Sequence, residues 1–174
     1  MRRVGFAVAL VLAMSSVAAA QRSTTDLIVT TDWLAQHLND PTVVVLHVVR
    51  DSNDYGSGHI PGAREILYSE FTAGRGANAN SGLPTADELK KVFERLGVSD
   101  ESHVVIYTGA GLAPEASRAF LTLDYLGHEN VSLLSGGLAR WRAEGRAVTT
   151  ERPRVTPGKI TPKSKGIAVD AECS

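Results

Sequence analysis

Residues 103–120, HVVIYTGAGLAPEASRAF, have the layout of a reaction site and no reactive side chain to go with it. Val104 to Tyr107 reads as a strand buried on both faces, because its apolar residues run without alternation. The segment Thr108, Gly109, Ala110, Gly111, Leu112 and Ala113 follows as a loop. Pro114 then stands where the first turn of a helix tolerates proline. In an open α/β sheet, ligands bind at the carboxyl ends of the strands, and this loop lies at such an end. Gly109 and Gly111 let backbone N–H groups turn inward, and the helix start adds a partial positive charge. An anion, a thiolate or a persulfide would be stabilised there, although Pro114 removes one donor. The loop itself contains no Cys, Ser, His or Lys.

Other readings of the same residues stay open. Gly109-x-Gly111 after a strand begins a dinucleotide fingerprint, but Pro114 occupies the third glycine position and no acid ends a following strand about 20 residues on. The glycines also suit a plain strand-to-helix connection. A phosphatase-like site needs a loop Cys and a closing Arg, and neither stands at the right spacing. The histidines at 37, 47, 59, 103 and 128 include no helical i, i+4 pair, so no metal site is expected. Cys173 is the only cysteine, which excludes an intramolecular disulfide and a Cys-rich zinc site. No cofactor is expected either.

The elements that must position this loop follow from periodicity. Thr31 is placed to cap a short helix over 32–38, with Trp33, Leu34 and Leu38 on its apolar side, and Asn39-Asp40-Pro41 ends it. Residues 43–48, VVVLHV, read as a fully buried strand. YGSGHIPG, 55–62, reads as a turn region and 63–67 as another short strand. Residues 69–83 form a long polar loop. Thr85-Ala86-Asp87-Glu88 is a capping box, followed by Leu89, Val92, Phe93 and Leu96 at helical spacing and by Gly97 as the stop. Ala116, Ala119, Phe120, Leu123 and Leu126 mark one face of the helix after the loop. Residues 131–134 form a third apolar strand. Gly136-Gly137 turns it into a helix carrying Leu138, Trp141 and Arg142. Strands alternating with helices imply an α/β fold of three layers over about residues 26–148, its mainly parallel sheet covered by helices on both faces.

The ends differ in kind. Arg2 and Arg3 precede an almost wholly apolar run from Val4 to Val17, and Ala18-Ala19-Ala20 supplies small residues for cleavage. Residues 1–20 therefore read as a secretory signal, which places the mature protein in the periplasm or outside the cell. The segment 149–174 reads as an extended linker with Pro153, Pro157 and Pro162. Its AVDAEC, 168–173, has an outline similar to IVTTDW at 28–33, as if a second domain began there. The composition is 43% hydrophobic and 21% charged with a net charge of −1, which gives no hint of a nucleic-acid partner or of a membrane partner after signal cleavage.

LIVTTDWLAQHLNDPTVVVLHV, then YGSGHIPGA, then VVIYTGAGLAPEASRAFLTLDYLGHENVSLLSGGLARWRAEGRAV resembles, in that order, a rhodanese (thiosulfate sulfurtransferase) domain. More narrowly, it resembles the N-terminal half of tandem-domain thiosulfate and 3-mercaptopyruvate sulfurtransferases. The resemblance implies a three-layer rhodanese-like fold and a catalytic Cys at the start of the loop after VVIY. Here that position is Thr108, which makes the loop 108–113 a degenerate cradle with no catalytic residue. It also implies a sulfur-containing anion such as thiosulfate as ligand, and a second rhodanese domain as partner. Supporting candidates are His47, where the family often has Asp, together with Arg50, His59 and Arg118. His47 reads either as ligand-facing or as a hydrogen-bonded near-core residue. His59 reads as fixing its turn, and Arg118 as pairing with Asp54 or Glu115 or as binding an anion. His128 reads as part of a helix C-cap, and Cys173 as too early to be the second domain's nucleophile.

Overall fold

The computed structural model describes residues 27–72, 84–109 and 114–162. Five strands, β1 (Ile28–Val29), β2 (Val43–Val49), β3 (Arg64–Leu67), β4 (His103–Tyr107) and β5 (Val131–Leu134), form one sheet in the order β1-β5-β4-β2-β3. Every pairing is parallel. The central pair is β2 and β4, with Val43 opposite His103 and His47 opposite Tyr107. Both strands are apolar on successive residues because helices cover both sheet faces.

Alternate residues feed two cores. Val44, Leu46 and Val48 of β2, with Val104 and Ile106 of β4, pack against α3 (Ala86–Arg95) and α4 (Pro114–Tyr125). Val45, Val105 and Tyr107 pack on the other face with Leu34 of α1 (Thr31–His37) and with Leu138 and Trp141 of α5 (Gly137–Ala143). The capping box forms: Glu88 N donates to Thr85 Oγ1 over 3.3 Å, and Thr85 N donates to Glu88 Oε2 over 2.8 Å. Gly97, at φ +75°, then turns the chain out of α3 in a conformation that a side chain disfavours.

Three local expectations change. The cap of α1 is Thr30, whose hydroxyl accepts from Trp33 N at 3.1 Å. Thr31 is buried inside the helix, and its hydroxyl donates to Glu144 Oε2 at 2.6 Å, tying α1 to the end of α5. The turn region at 55–62 begins inside a five-residue helix, α2 (Ser52–Gly56), capped by the Asp51 carboxylate on Asn53 N. The edge strand β1 was not expected. It is two residues long and is held by parallel pairing to β5, a tertiary contact.

Residues 149–162 run without regular secondary structure but lie against the body. Thr149 and His59 exchange backbone hydrogen bonds of 2.9 Å. The Arg152 guanidinium meets Glu65 at 2.6 Å and lies over the Tyr55 ring. Further along, Gly158 N donates to Glu94 O, and Ile160 N to Glu94 Oε1, both over 2.8 Å. Asp100 N donates to Lys159 O over 3.1 Å. Ile160 is 1% exposed within the α3-side core. These contacts anchor the segment along the domain.

Candidate functional site

The carboxyl ends of β2 and β4 open into a cavity of about 460 Å³. His47, Arg50 and Thr108 line it from the strand ends, Asp54 and Ser57 from α2 and its cap, Glu115 from α4, and Arg142 from α5. The start of the loop is pinned to α5: Leu138 N donates to Thr108 O and Ala139 N to Gly109 O, each over 3.0 Å. These bonds satisfy N–H groups at the beginning of α5 that its own helix leaves without partners.

His47 is 1% exposed and stacks on Tyr107, with ring centroids 4.4 Å apart and 16° between planes. Tyr55 lies tilted at 5.9 Å. Both tyrosines are held elsewhere: Tyr55 OH donates to Ala63 O over 2.7 Å, and Tyr107 OH accepts from Ile60 N over 3.1 Å. Burial pushes the Tyr107 and Tyr55 hydroxyls above the ordinary phenolic range, so they remain neutral donors and acceptors. Neither ring nitrogen of His47 has a hydrogen-bond partner. Burial, with smaller contributions from His59 and Arg142, depresses its pKa to about 4, so the imidazole is uncharged at neutral pH.

The charges at the rim are unequal in their pairing. Arg50 donates to Glu115 Oε1 from both Nε and Nη2 over 2.7 Å. Glu115's own backbone N–H, followed by that guanidinium, holds its carboxyl below the usual range. Arg142 instead donates from Nη2 to two neutral carbonyls, Gly58 O at 3.1 Å and Ser57 O at 3.4 Å.

Of the residues singled out in the sequence, His47, Arg50, Thr108 and Gly109 meet at this cavity. Ala110, Gly111, Leu112 and Ala113, and likewise Cys173, lie outside the described residues. His59 is fully buried away from the cavity lining, stacked on Tyr55 at 3.7 Å. Its ring nitrogens lie 3.1 Å from Tyr55 O and 3.0 Å from Glu151 O, so it links the turn to the segment after α5. The expected pairing of Arg118 with Asp54 or Glu115 is not formed: Glu115 is taken by Arg50, which reaches it from the end of β2. His47 is not hydrogen-bonded within the fold, contrary to one of its two readings, because its neighbours are ring faces. His128 closes α4 through its backbone N–H on Leu123 O at 2.9 Å, and its ring reaches Ser102 O. Asp54, Ser57 and Arg142 were not foreseen as a group. No local signal marks Arg142, which follows the buried Trp141 on a short helix. Among the described residues, no cluster of three His, Cys, Asp or Glu side chains could hold a metal ion, and no helix is long and apolar enough to cross a membrane.

A parallel three-layer α/β domain with a polar pocket at its strand ends belongs to the class that takes small ligands there. The Rhodanese-like domain family matches residues 30–144, and this chain belongs to that family. It is 39% identical over 134 residues to the sulfur carrier protein TtuD of Thermus thermophilus, spanning 77% of this chain and 46% of that protein. It is 34% identical to thiosulfate/3-mercaptopyruvate sulfurtransferase 2 of Arabidopsis thaliana, over 71% of this chain and 38% of the relative. The crystal structure of SseA, a 3-mercaptopyruvate sulfurtransferase from Escherichia coli, superposes with a TM-score of 0.72 at 26% identity, over 80% of this chain and 57% of that one. The chain thus spans less than half the length of these two curated relatives.

Proposed function

We propose that this chain is the non-catalytic, N-terminal rhodanese-type half of a thiosulfate or 3-mercaptopyruvate sulfurtransferase. The observation that carries the reading is Thr108 at the end of β4, where the family resemblance calls for the nucleophile. Sulfane transfer needs a thiolate: it attacks the outer sulfur of the donor, releases the remainder as an anion, and holds the sulfur as a persulfide for an acceptor. A threonine hydroxyl cannot carry that sulfur. Relatives about twice as long support a second rhodanese-type domain as the partner that would supply a loop cysteine. The apolar leader of residues 4–17 supports export to the periplasm or the medium.

A second reading is favoured by the cavity itself. The domain serves in this reading as an exported module that binds a sulfur-containing anion without turning it over, since charged and polar groups converge at the strand ends with no thiol among the described lining residues. Purified protein incubated with thiosulfate and cyanide tests the common core of both readings. No thiocyanate above the protein-free background is expected. Sustained turnover, with one sulfur atom added to the protein by mass spectrometry, would overturn the non-catalytic assignment.

A further inference from the structure

We propose that His59 is a proton-dependent clasp: with a proton on each ring nitrogen it fastens the segment after α5 to the body of the domain, and losing one of them loosens the start of that segment.

The kind of partner that each nitrogen meets carries the assignment. His59 Nδ1 lies 3.1 Å from Tyr55 O, and Nε2 lies 3.0 Å from Glu151 O. Both partners are backbone carbonyls, which accept hydrogen bonds and cannot donate them. A neutral imidazole has one N–H and one lone pair, so one carbonyl would face a lone pair at hydrogen-bond distance. The imidazolium has a donor for each. His59 is fully buried, so solvent cannot take the place of either carbonyl.

Burial opposes a charged ring, and the surroundings offset it. Tyr55 from α2 stacks on His59 with ring centroids 3.7 Å apart and 11° between planes, which offers a π-face to the cation. His47 from β2 is uncharged at neutral pH, and Tyr107 from β4 is a neutral phenol bonded to Ile60 N, the next residue along. Arg152, over the same Tyr55 ring, is paired with Glu65 of β3. Arg142 from α5 reaches the carbonyls of Ser57 and Gly58, and Asp54 is the acidic group of α2 on this side.

The two ends of the segment are held by different chemistry. Residues 149–151 hang on His59, through the backbone exchange with Thr149 and the ring bond to Glu151 O. Residues 158–161 are held by Gly158 N on Glu94 O, Ile160 N on Glu94 Oε1 and Thr161 N on Asp100 Oδ1, and none of these bonds uses a histidine. Loss of the proton therefore frees residues 149–152 and lifts Arg152 from the Tyr55 ring, while the far end stays docked. The extra bond exists only in the protonated form, so the clasp is complete at acid pH and weakens as pH rises through the range in which histidines change charge, about 5 to 8. His47 moves in the other direction, since its uncharged form is the buried one and its loss of stability lies below this range.

The test is NMR of the purified chain at about pH 6 and about pH 8, on either side of ordinary histidine titration. Nitrogen-15 spectra of the imidazoles, with His59 assigned through its own backbone, read the ring directly. Amide hydrogen exchange, expressed as protection relative to the intrinsic rate at each pH, reads the segment. Two protonated ring nitrogens are expected for His59 at the lower pH. Protection of the Thr149 and His59 amides should fall about tenfold at the higher pH, the loss of one charge-assisted bond, while Gly158 and Ile160 keep theirs. His59→Gln should protect Thr149 weakly and equally at both pH values. Arg152→Gln should lower the protection of Thr149 at both and leave its pH dependence in place. A His59 ring with one unprotonated nitrogen at the lower pH, while Thr149 is protected, would overturn the proposal. So would protection of Thr149 that does not change with pH, that falls in step with Gly158, or that keeps its pH dependence in His59→Gln. The ring measurement is made on wild type, so it decides the matter even where His59→Gln fails to fold.

Discussion

Truncating Ile160 to alanine measures whether the segment after α5 belongs to the folded domain. A free linker would leave Ile160 in water, and its replacement would shift stability by no more than about 0.5 kcal/mol. In the structure the side chain is 1% exposed and shares the α3-side core with Leu89, Phe93, Leu96 and Val98. Its backbone N–H donates to Glu94 Oε1 over 2.8 Å, so the residue is held by its main chain as well as by its side chain. Ile→Ala removes three buried carbons, or about 2.5 kcal/mol of transfer free energy at roughly 0.8 kcal/mol each. The cavity left behind brings the expected loss to about 3–4 kcal/mol, because α3 and the 98–100 turn cannot collapse fully into it. For a domain of this size that is a fall in Tm of about 10 °C. Differential scanning calorimetry of wild type and Ile160→Ala at neutral pH gives the value directly. A shift of less than about 2 °C would refute the packing of this segment, since that is the response of a surface substitution.

Two further predictions concern the stacked pair His47 and Tyr107. With His47 at a pKa of about 4 in the folded chain and an ordinary value in the unfolded one, the unfolded state binds the extra proton first on acidification. The stability from neutral His47 is complete above about pH 6.5 and is lost as pH falls towards 4, by roughly 3 kcal/mol. Urea titrations at several pH values should show a steeper acid loss for wild type than for His47→Gln; parallel curves would refute the burial of an uncharged imidazole. Tyr107→Phe deprives Ile60 N–H of its acceptor in a fully buried setting and should cost about 1–3 kcal/mol in the same assay. An unchanged midpoint would mean that this N–H finds another partner.

What could be read from the sequence alone was whatever depends on neighbours a few residues away. The Thr85–Glu88 box, the stop at Gly97 and the unbroken apolar runs of β2 and β4 are local statements, and the helices and strands stand where those residues place them. The YGSGHIPGA segment and LGHENVSLLSGGLARW carried the family, while the alternation of strands and helices gave the parallel sheet and the strand-end location of a pocket. Tertiary structure decided the rest wherever a local choice was balanced. Thr30 and Thr31 could each have capped α1, and Glu144, 113 residues beyond Thr31, settled which one did. The basic, proline-containing tail has the composition of a linker, yet contacts of Ile160 and Lys159 with α3 and residues 99–100 hold it to the domain. His47 and Thr108 were legible because strand ends are legible. Their association with Asp54 and Arg142 was not, because it depends on how α2 and α5 pack above the sheet. Hydrogen bonds within a helical turn are written in consecutive residues, whereas a binding pocket is written in the distances between elements that only the packed core establishes.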